Sequence, residues 1–205
     1  MLVGLTGNFG SGKSTVLEMF KALGAITVSS DEIVHRLLSE TDIKLRVREL
    51  LGDVFDSAGN IDKPKTAAIV FNNPQLRREL ETIIHPLVIA EIKRKASSNT
   101  DKVVVAEIPL LFEGNFTRDV DKTITVISDI EVVEERLKNR GFSTTDIKSR
   151  LSAQIPQDRK VALSDFVIDN SGNPEETKSQ VTAIYEKLTG MLEEKVVGKG
   201  LCPLP

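Results

Sequence analysis

A three-layer α/β fold, with a central five-stranded parallel sheet and helices on both faces, is predicted by three observations in this 205-residue sequence. The chain opens on a short apolar run, Leu2 to Leu5, followed at once by a glycine-rich loop, GNFGSGKST at 7–15. Further apolar runs at 25–28 (AITV), 102–108 (KVVVAEI), 122–127 (KTITVI) and 166–168 (FVI) have strand length and composition. The stretches between them carry helical spacing, so successive strands are joined by crossovers, run parallel and are covered on both faces.

Composition narrows the class. The length suits one ordinary domain with room for an insertion, and it can bury a real core. Hydrophobic residues make up 40% and charged residues 28%, a globular balance. A net charge of −3 gives no general affinity for nucleic acid or an anionic membrane, so phosphate binding must come from local cations. The single cysteine, Cys202, excludes an internal disulfide framework and fits a reducing compartment. With no basic leader and no run of membrane-spanning length, the expectation is a soluble cytoplasmic protein without nucleic-acid or membrane partners.

Taken in order, the first helix carries Val16, Leu17, Phe20 and Leu23 on one face and stops at Gly24. The second strand runs out into Ser29-Ser30-Asp31, and helix is expected over 32–38. From 42 to 98 strand signals vanish and helical patterns dominate, broken by the turn-rich stretch 52–62, with Pro64 suited to a first helical turn. This segment reads as a helical insertion, which leaves 1–41 and 99–205 as the core. Ile130, Val133 and Leu137 mark a helix ending near Gly141, and Ser143 to Asp146 resembles a capping box for the next one. Pro174 opens a long last helix with Val181, Ile184, Leu188 and Leu192 on one face, and a frayed tail is expected from Gly198.

The loop is where the chemistry starts. Gly7 to Ser14 fits G-x-x-x-x-G-K-[ST] between a strand and a helix, the context in which that spacing cradles phosphate. Glycines let the backbone curl so that the N–H groups of Gly10, Ser11 and Gly12 face an anion, and the following helix adds its positive end. Lys13 is expected to reach the β- and γ-phosphates, the Ser14 hydroxyl to ligate Mg²⁺, and Thr15 to touch the α-phosphate.

Other residues are less decisive by themselves. Asp31 follows a strand whose C-terminal end borders the ligand crevice of a parallel sheet, but it also suits a helix N-cap. Arg136 and Arg140 share a helical face before the loop GFSTT, with Arg150 beyond, and solvated charges would look the same. His85-Pro86 reads as a helix break with a structural histidine, and His35 supplies no second ligand at zinc spacing. Glu107 ends the third strand, as a partner near Mg²⁺ or simply as a polar terminus. The D-x-x-G match at 56–59 falls in a turn cluster and no N-K-x-D sequence occurs, which argues against a GTPase.

Together the motifs resemble the dephospho-coenzyme A kinase family. GLTGNFGSGKST at 4–15, ITVSSDEIVHRLL at 26–38, VFNNPQLRRELETIIHP at 70–86, IPLLFEG at 108–114, RLKNR at 136–140, Gln154, Lys160 and DFVIDNSG at 165–172 follow that family's order. The resemblance implies the P-loop kinase form of the fold, with a helical domain on the coenzyme-A side and a lid at about 138–155. It also implies ATP-dependent phosphorylation of the ribose 3′-hydroxyl of dephospho-CoA, with ATP and Mg²⁺. A monomer or weak homo-oligomer is expected. Another P-loop kinase acting on a nucleoside or small metabolite is the alternative. By the match Asp31 is the general base, Lys13 and Arg140 act with it, Asn170 lies near the adenine, and His85 and Leu110 join Asp31 on the acceptor side. Two departures stand out: Ser29 replaces the first Asp of the family's D-A-D, and Phe9 replaces a small aliphatic residue in the loop.

Overall fold

The computed structural model describes residues 1–200, the side chains of Phe71 and 196–200 excepted; Cys202 lies outside the described residues. The elements run β1 (Leu2–Gly7), α1 (Lys13–Ala22), β2 (Ile26–Ser29), α2 (Ser30–Leu37), α3 (Thr41–Leu51), α4 (Lys63–Asn72), α5 (Pro74–Ser97), β3 (Val104–Glu107), β4 (Lys122–Ile127), α6 (Ile130–Asn139), α7 (Thr144–Ser152), α8 (Gln157–Ala162), β5 (Phe166–Asp169) and α9 (Pro174–Gly200). The chain forms two compact units, Ser29–Arg94 and a larger one made of Met1–Val28 with the chain from Lys95 onward.

The larger unit holds the sheet, a five-stranded parallel array in the order β2-β3-β1-β4-β5. β1 sits in the middle, Leu2 to Leu5 in register with Val104 to Glu107 on one side and Val3 to Gly7 with Lys122 to Val126 on the other. That position explains its uninterrupted apolar sequence, since every residue from Leu2 to Gly7 is buried. One face packs on α1 and α9, where Val3, Leu5, Val16, Phe20, Ile124, Val126, Val181 and Leu188 form the main core. The helical spacing of Val181, Ile184, Leu188 and Leu192 is the stripe α9 buries there, and its backbone stays helical through Gly200, past the expected fraying point at Gly198.

Among the described residues, the smaller unit is helical apart from one antiparallel bridge between Phe55 and Ile61 in the turn-rich stretch. Asp62 caps α4 by accepting the Lys65 N–H at 3.0 Å, with Pro64 in the first turn as the sequence suggests. One expectation fails: α5 does not break at His85-Pro86 but runs continuously from Pro74 to Ser97. Pro86 lies on the exposed side, where a forgone backbone bond is open to water, while Ile84, Val88 and Ile92 bury the opposite face and hold the helix together.

Candidate active site

The phosphate loop is shaped by contacts that only glycine permits, as Gly7 and Gly12 show. Gly7 has φ 153°, and a Cβ there would strike the carbonyl oxygen of Val126 in β4. Gly12, the N-cap of α1, has φ 89°, and a Cβ would strike the Asn170 side-chain amide. So the loop leaves β1 tight against β4 and enters α1 tight against the residue after β5. No side chain caps the α1 N-terminus, the positive end of the helix at which an anion is favoured.

Lys13 and Ser14 occupy the first turn of α1. The Lys13 ammonium donates to the carbonyls of Gly7 at 3.1 Å and Asn8 at 3.2 Å, folded back over the loop it serves. The Ser14 hydroxyl donates to the Glu107 carboxylate, at 3.3 Å and 3.4 Å from its two oxygens. Glu107 ends β3 and is 7% exposed, so its carboxylate faces the loop across neighbouring strands. This sets Glu107 against Ser14 at the start of α1, which its position as a strand terminus alone did not establish.

Gly10, Gly12, Thr15, Arg136, Arg140 and Asn170 line one pocket of about 360 Å³, together with Met19, Asn139, Gly172 and Pro174. Asn170 is 6% exposed and works structurally here: its amide donates to the Ser11 carbonyl at 2.9 Å while its Oδ1 accepts from Thr177 at 3.2 Å. Arg136 donates to the Asn170 carbonyl at 2.9 Å and to the Ser128 hydroxyl at 3.2 Å, which fixes its guanidinium as one wall. Arg140 caps the C-terminus of α6 and is exposed at the pocket rim. Of the residues expected to bind ATP, this pocket gathers Gly10, Gly12, Thr15, Arg140 and Asn170, with Ser11, Lys13 and Ser14 in the adjoining loop and helix turn.

Past β3, the Pro109 carbonyl accepts from Thr6 at 3.1 Å and from Lys160 at 3.2 Å. Lys160 is fully buried and pairs with Glu113 at 3.0 Å, and the same carboxylate oxygen accepts the Ile155 N–H at 3.2 Å. Burial pushes the Lys160 ammonium below its ordinary value, and Glu113 acts against that shift. Glu113 and Lys160 were legible only as parts of matching motifs; nothing in PQDRKVAL marks its lysine as buried. Leu110, on the intervening turn, is 36% exposed.

Asp31 and His85 belong to the smaller unit. Asp31 is exposed in the first turn of α2 and is not its cap, because the Ser29 hydroxyl accepts the Glu32 N–H in that role. Ser29, the departure from D-A-D, therefore keeps the capping chemistry that an Asp would supply. His85 is half-buried in α5, and burial depresses its basicity against the opposing pull of Glu81.

The family model for dephospho-CoA kinase matches residues 1–176. The dephospho-CoA kinase of Aquifex aeolicus is 40% identical over 190 residues, covering 91% of this chain and 97% of the relative. That of Geobacillus kaustophilus is 38% identical over 194 residues, covering 91% and 96%. Among solved structures, a Thermus thermophilus protein superposes with a TM-score of 0.83 at 28% identity, covering 92% of this chain and 98% of that one. The Campylobacter jejuni dephospho-CoA kinase gives 0.68 at 26%, covering 92% and 97%. The shikimate kinase of Aquifex aeolicus shares the fold alone, at 0.52 and 20% identity, covering 93% and 97%. On a phosphate loop whose surrounding pocket is built by its own sequence, and a match that runs nearly its whole length, this chain belongs to the dephospho-CoA kinase family.

Proposed function

We propose that this chain transfers the γ-phosphoryl group of Mg·ATP to the ribose 3′-hydroxyl of dephospho-CoA, giving coenzyme A and ADP. The observation that carries the reading is the pocket in which Gly10, Gly12 and Thr15 face Arg136, Arg140 and Asn170, in a chain of this family. The loop amides and Lys13 hold the phosphates; Arg140 stands at the rim, where charge on the transferring group develops.

The donor set suits Mg²⁺: a serine hydroxyl and a carboxylate, hard oxygens 3.3 Å apart, with no cluster of three or more His, Cys, Asp or Glu among the described residues. Ser14 would hold the ion and Glu107 would orient Ser14 and the ion's water shell. Bound there, Mg²⁺ supplies positive charge to the phosphate oxygens.

Asp31 is the proposed base. Its support is topological: it stands two residues beyond β2, at the carboxyl end of a parallel-sheet strand, and the capping role that competed for it belongs to Ser29. The Asp31 carboxylate accepts the hydrogen bond of the attacking hydroxyl, orients it and takes its proton as the P–O bond forms. Leu110 and His85 are proposed to contact the acceptor. Helices of 42–98 are proposed to grip its apolar arm, and 138–155 to act as the lid that excludes water. A cytoplasmic location, with access to the ATP pool, is part of the proposal; no helix among the described residues is long and apolar enough to cross a membrane.

The test is ADP release from Mg·ATP with and without dephospho-CoA, with adenosine, nucleoside monophosphates and shikimate as rival acceptors. Stimulation by dephospho-CoA with a 3′-phosphorylated product is expected. Equal or better stimulation by a rival overturns the acceptor and keeps the nucleotide site.

A further inference from the structure

We infer that Phe9 and Gln154 are positioning residues that hold the α6–α7 segment against the phosphate loop and thereby set the affinity for nucleotide. The inference rests on the ATP site proposed above. It starts from the loop position where this chain carries an aromatic ring.

The Phe9 side chain leaves the loop and enters a small core separate from that of the sheet. Val133 and Leu137 from α6 and Ile147 from α7 are buried there, with Phe142, Leu151 and Phe9 packed against them. Two short helices supply only three buried residues, so the ring contributed by the loop is a large part of what joins them. Phe9 and Phe142 meet edge to face, centroids 5.2 Å apart at 90°. The Arg150 guanidinium lies over both rings, 5.0 Å from the Phe9 centroid and 5.2 Å from that of Phe142.

The backbone of the same residue is held as well. The Phe9 N–H donates to the Gln154 side-chain oxygen at 2.8 Å, just past the end of α7. One loop residue thus engages the segment through its ring at one end and its amide at the other. Beside it, Gly10 lies so close to α6 that a Cβ would come within 2.8 Å of Val133 and 2.9 Å of Leu137.

The consequence falls on the nucleotide pocket. Gly10, Gly12 and Thr15 form one wall and Arg136, Asn139 and Arg140 another, and Phe9 is not among the lining residues. Phe9 and Gln154 act through the spacing of those walls. Loosening α6–α7 from the loop moves the arginines away from the phosphates without touching Lys13 or Ser14.

The experiment compares Phe9→Ala, Phe9→Leu and Gln154→Ala with the parent protein. Calorimetric Mg·ADP affinity, KM and kcat for ATP, and hydrogen exchange of amides 142–154 are measured. Phe9→Ala is expected to weaken Mg·ADP binding about tenfold and raise KM for ATP alike, with kcat lowered as well because Arg140 moves with the segment, and with faster exchange in 142–154. Gln154→Ala should shift the same readouts, and the double variant should lose less than the product of the two losses. Phe9→Leu, which keeps an apolar side chain in the cluster, should recover binding to within about threefold. If Phe9→Ala does not fold, Phe9→Leu and Gln154→Ala decide. Unchanged affinity and exchange in folded Gln154→Ala, or a kcat loss at constant KM, overturns the inference. Because Mg·ADP binding involves no acceptor, failure to phosphorylate dephospho-CoA would defeat the proposed function and leave this result standing.

Discussion

The side-chain amide of Asn170 donates to the main-chain carbonyl of Ser11, 159 residues earlier, at 2.9 Å. The residue after the last strand thereby props the loop after the first one. Thr177 on α9 accepts nothing from this amide but donates to its oxygen, so the amide orientation is held from behind. The backbone carbonyl of the same Asn170 receives Arg136. One asparagine therefore ties the strand edge, the loop and an arginine wall of the pocket together.

Asn170→Ala removes the donor to the Ser11 carbonyl and the nearest acceptor of the Thr177 hydroxyl in a buried place. A loss of about 1–3 kcal/mol in unfolding free energy is expected, with Mg·ADP affinity reduced about tenfold. Asn170→Asp should be worse for binding than Ala, because it sets a carboxylate against the Ser11 carbonyl. Denaturant titration and calorimetry read the two effects separately. Wild-type affinity in Asn170→Ala would show that the loop holds its shape unaided.

The Ser14–Glu107 contact leads to a prediction about metal dependence. Glu107→Gln keeps an oxygen acceptor for the Ser14 hydroxyl and removes the charge. The Mg²⁺ concentration for half-maximal rate at saturating ATP should rise on the order of tenfold, as when a partner of a metal ligand is lost. Ser14→Ala should raise it further. An unchanged Mg²⁺ curve in Glu107→Gln assigns the carboxylate to loop structure alone.

Lys160 and Glu113 form an ion pair with the lysine wholly buried. Removing one partner strands the other, at a cost of about 3–5 kcal/mol, while removing both is far less costly. Lys160→Met should accordingly destabilise strongly, and Lys160→Met with Glu113→Leu should regain much of the loss. Denaturation midpoints of the three proteins provide the test; additive losses would mean the two residues act separately.

Where the chain's local chemistry set the structure, the sequence was readable. The apolar runs at 2–5 and 122–127, and the Gly24 stop, translate directly into β1, β4 and the end of α1, because burial on two faces and a left-handed turn leave plain marks. The glycine-rich turn between β1 and α1 was legible for the same reason. Ser11–Asn170, Glu113–Lys160 and Phe9–Gln154 were not, since each joins positions far apart in sequence and the spacing of polar residues does not record which one is buried. The continuity of α5 through Pro86 was misread because the local rule for proline was outweighed by the apolar face of Ile84, Val88 and Ile92.

His85 makes stability depend on pH with a definite sign. Burial lowers its folded-state pKa below the unfolded value of 6.5, so below that pH the unfolded chain binds more protons. Its contribution is fully kept above pH 6.5 and declines as pH falls from there towards the folded pKa. His85→Gln should remove this component and give a flatter stability curve between about pH 7 and 5. Parallel curves for the two proteins would show that His85 protonates equally in both states.

Asp31 is the proposed base. It is exposed in the first turn of α2, and the Glu32 N–H is satisfied by Ser29, so Asp31→Asn removes a charge without removing a cap. An amide can still receive a hydrogen bond from the acceptor hydroxyl but takes no proton from it. Turnover should fall on the order of a hundredfold or more, while ATP affinity is nearly kept, because loss of a base acts on the transition state and not on nucleotide binding. Ser29→Asp, which restores the family's first carboxylate at a position that still caps α2, should leave stability close to wild type and serves as the matched control. Turnover of Asp31→Asn within a few-fold of wild type would remove Asp31 from the proton transfer and leave positioning by the loop, Lys13 and Arg140 as the whole of the catalysis.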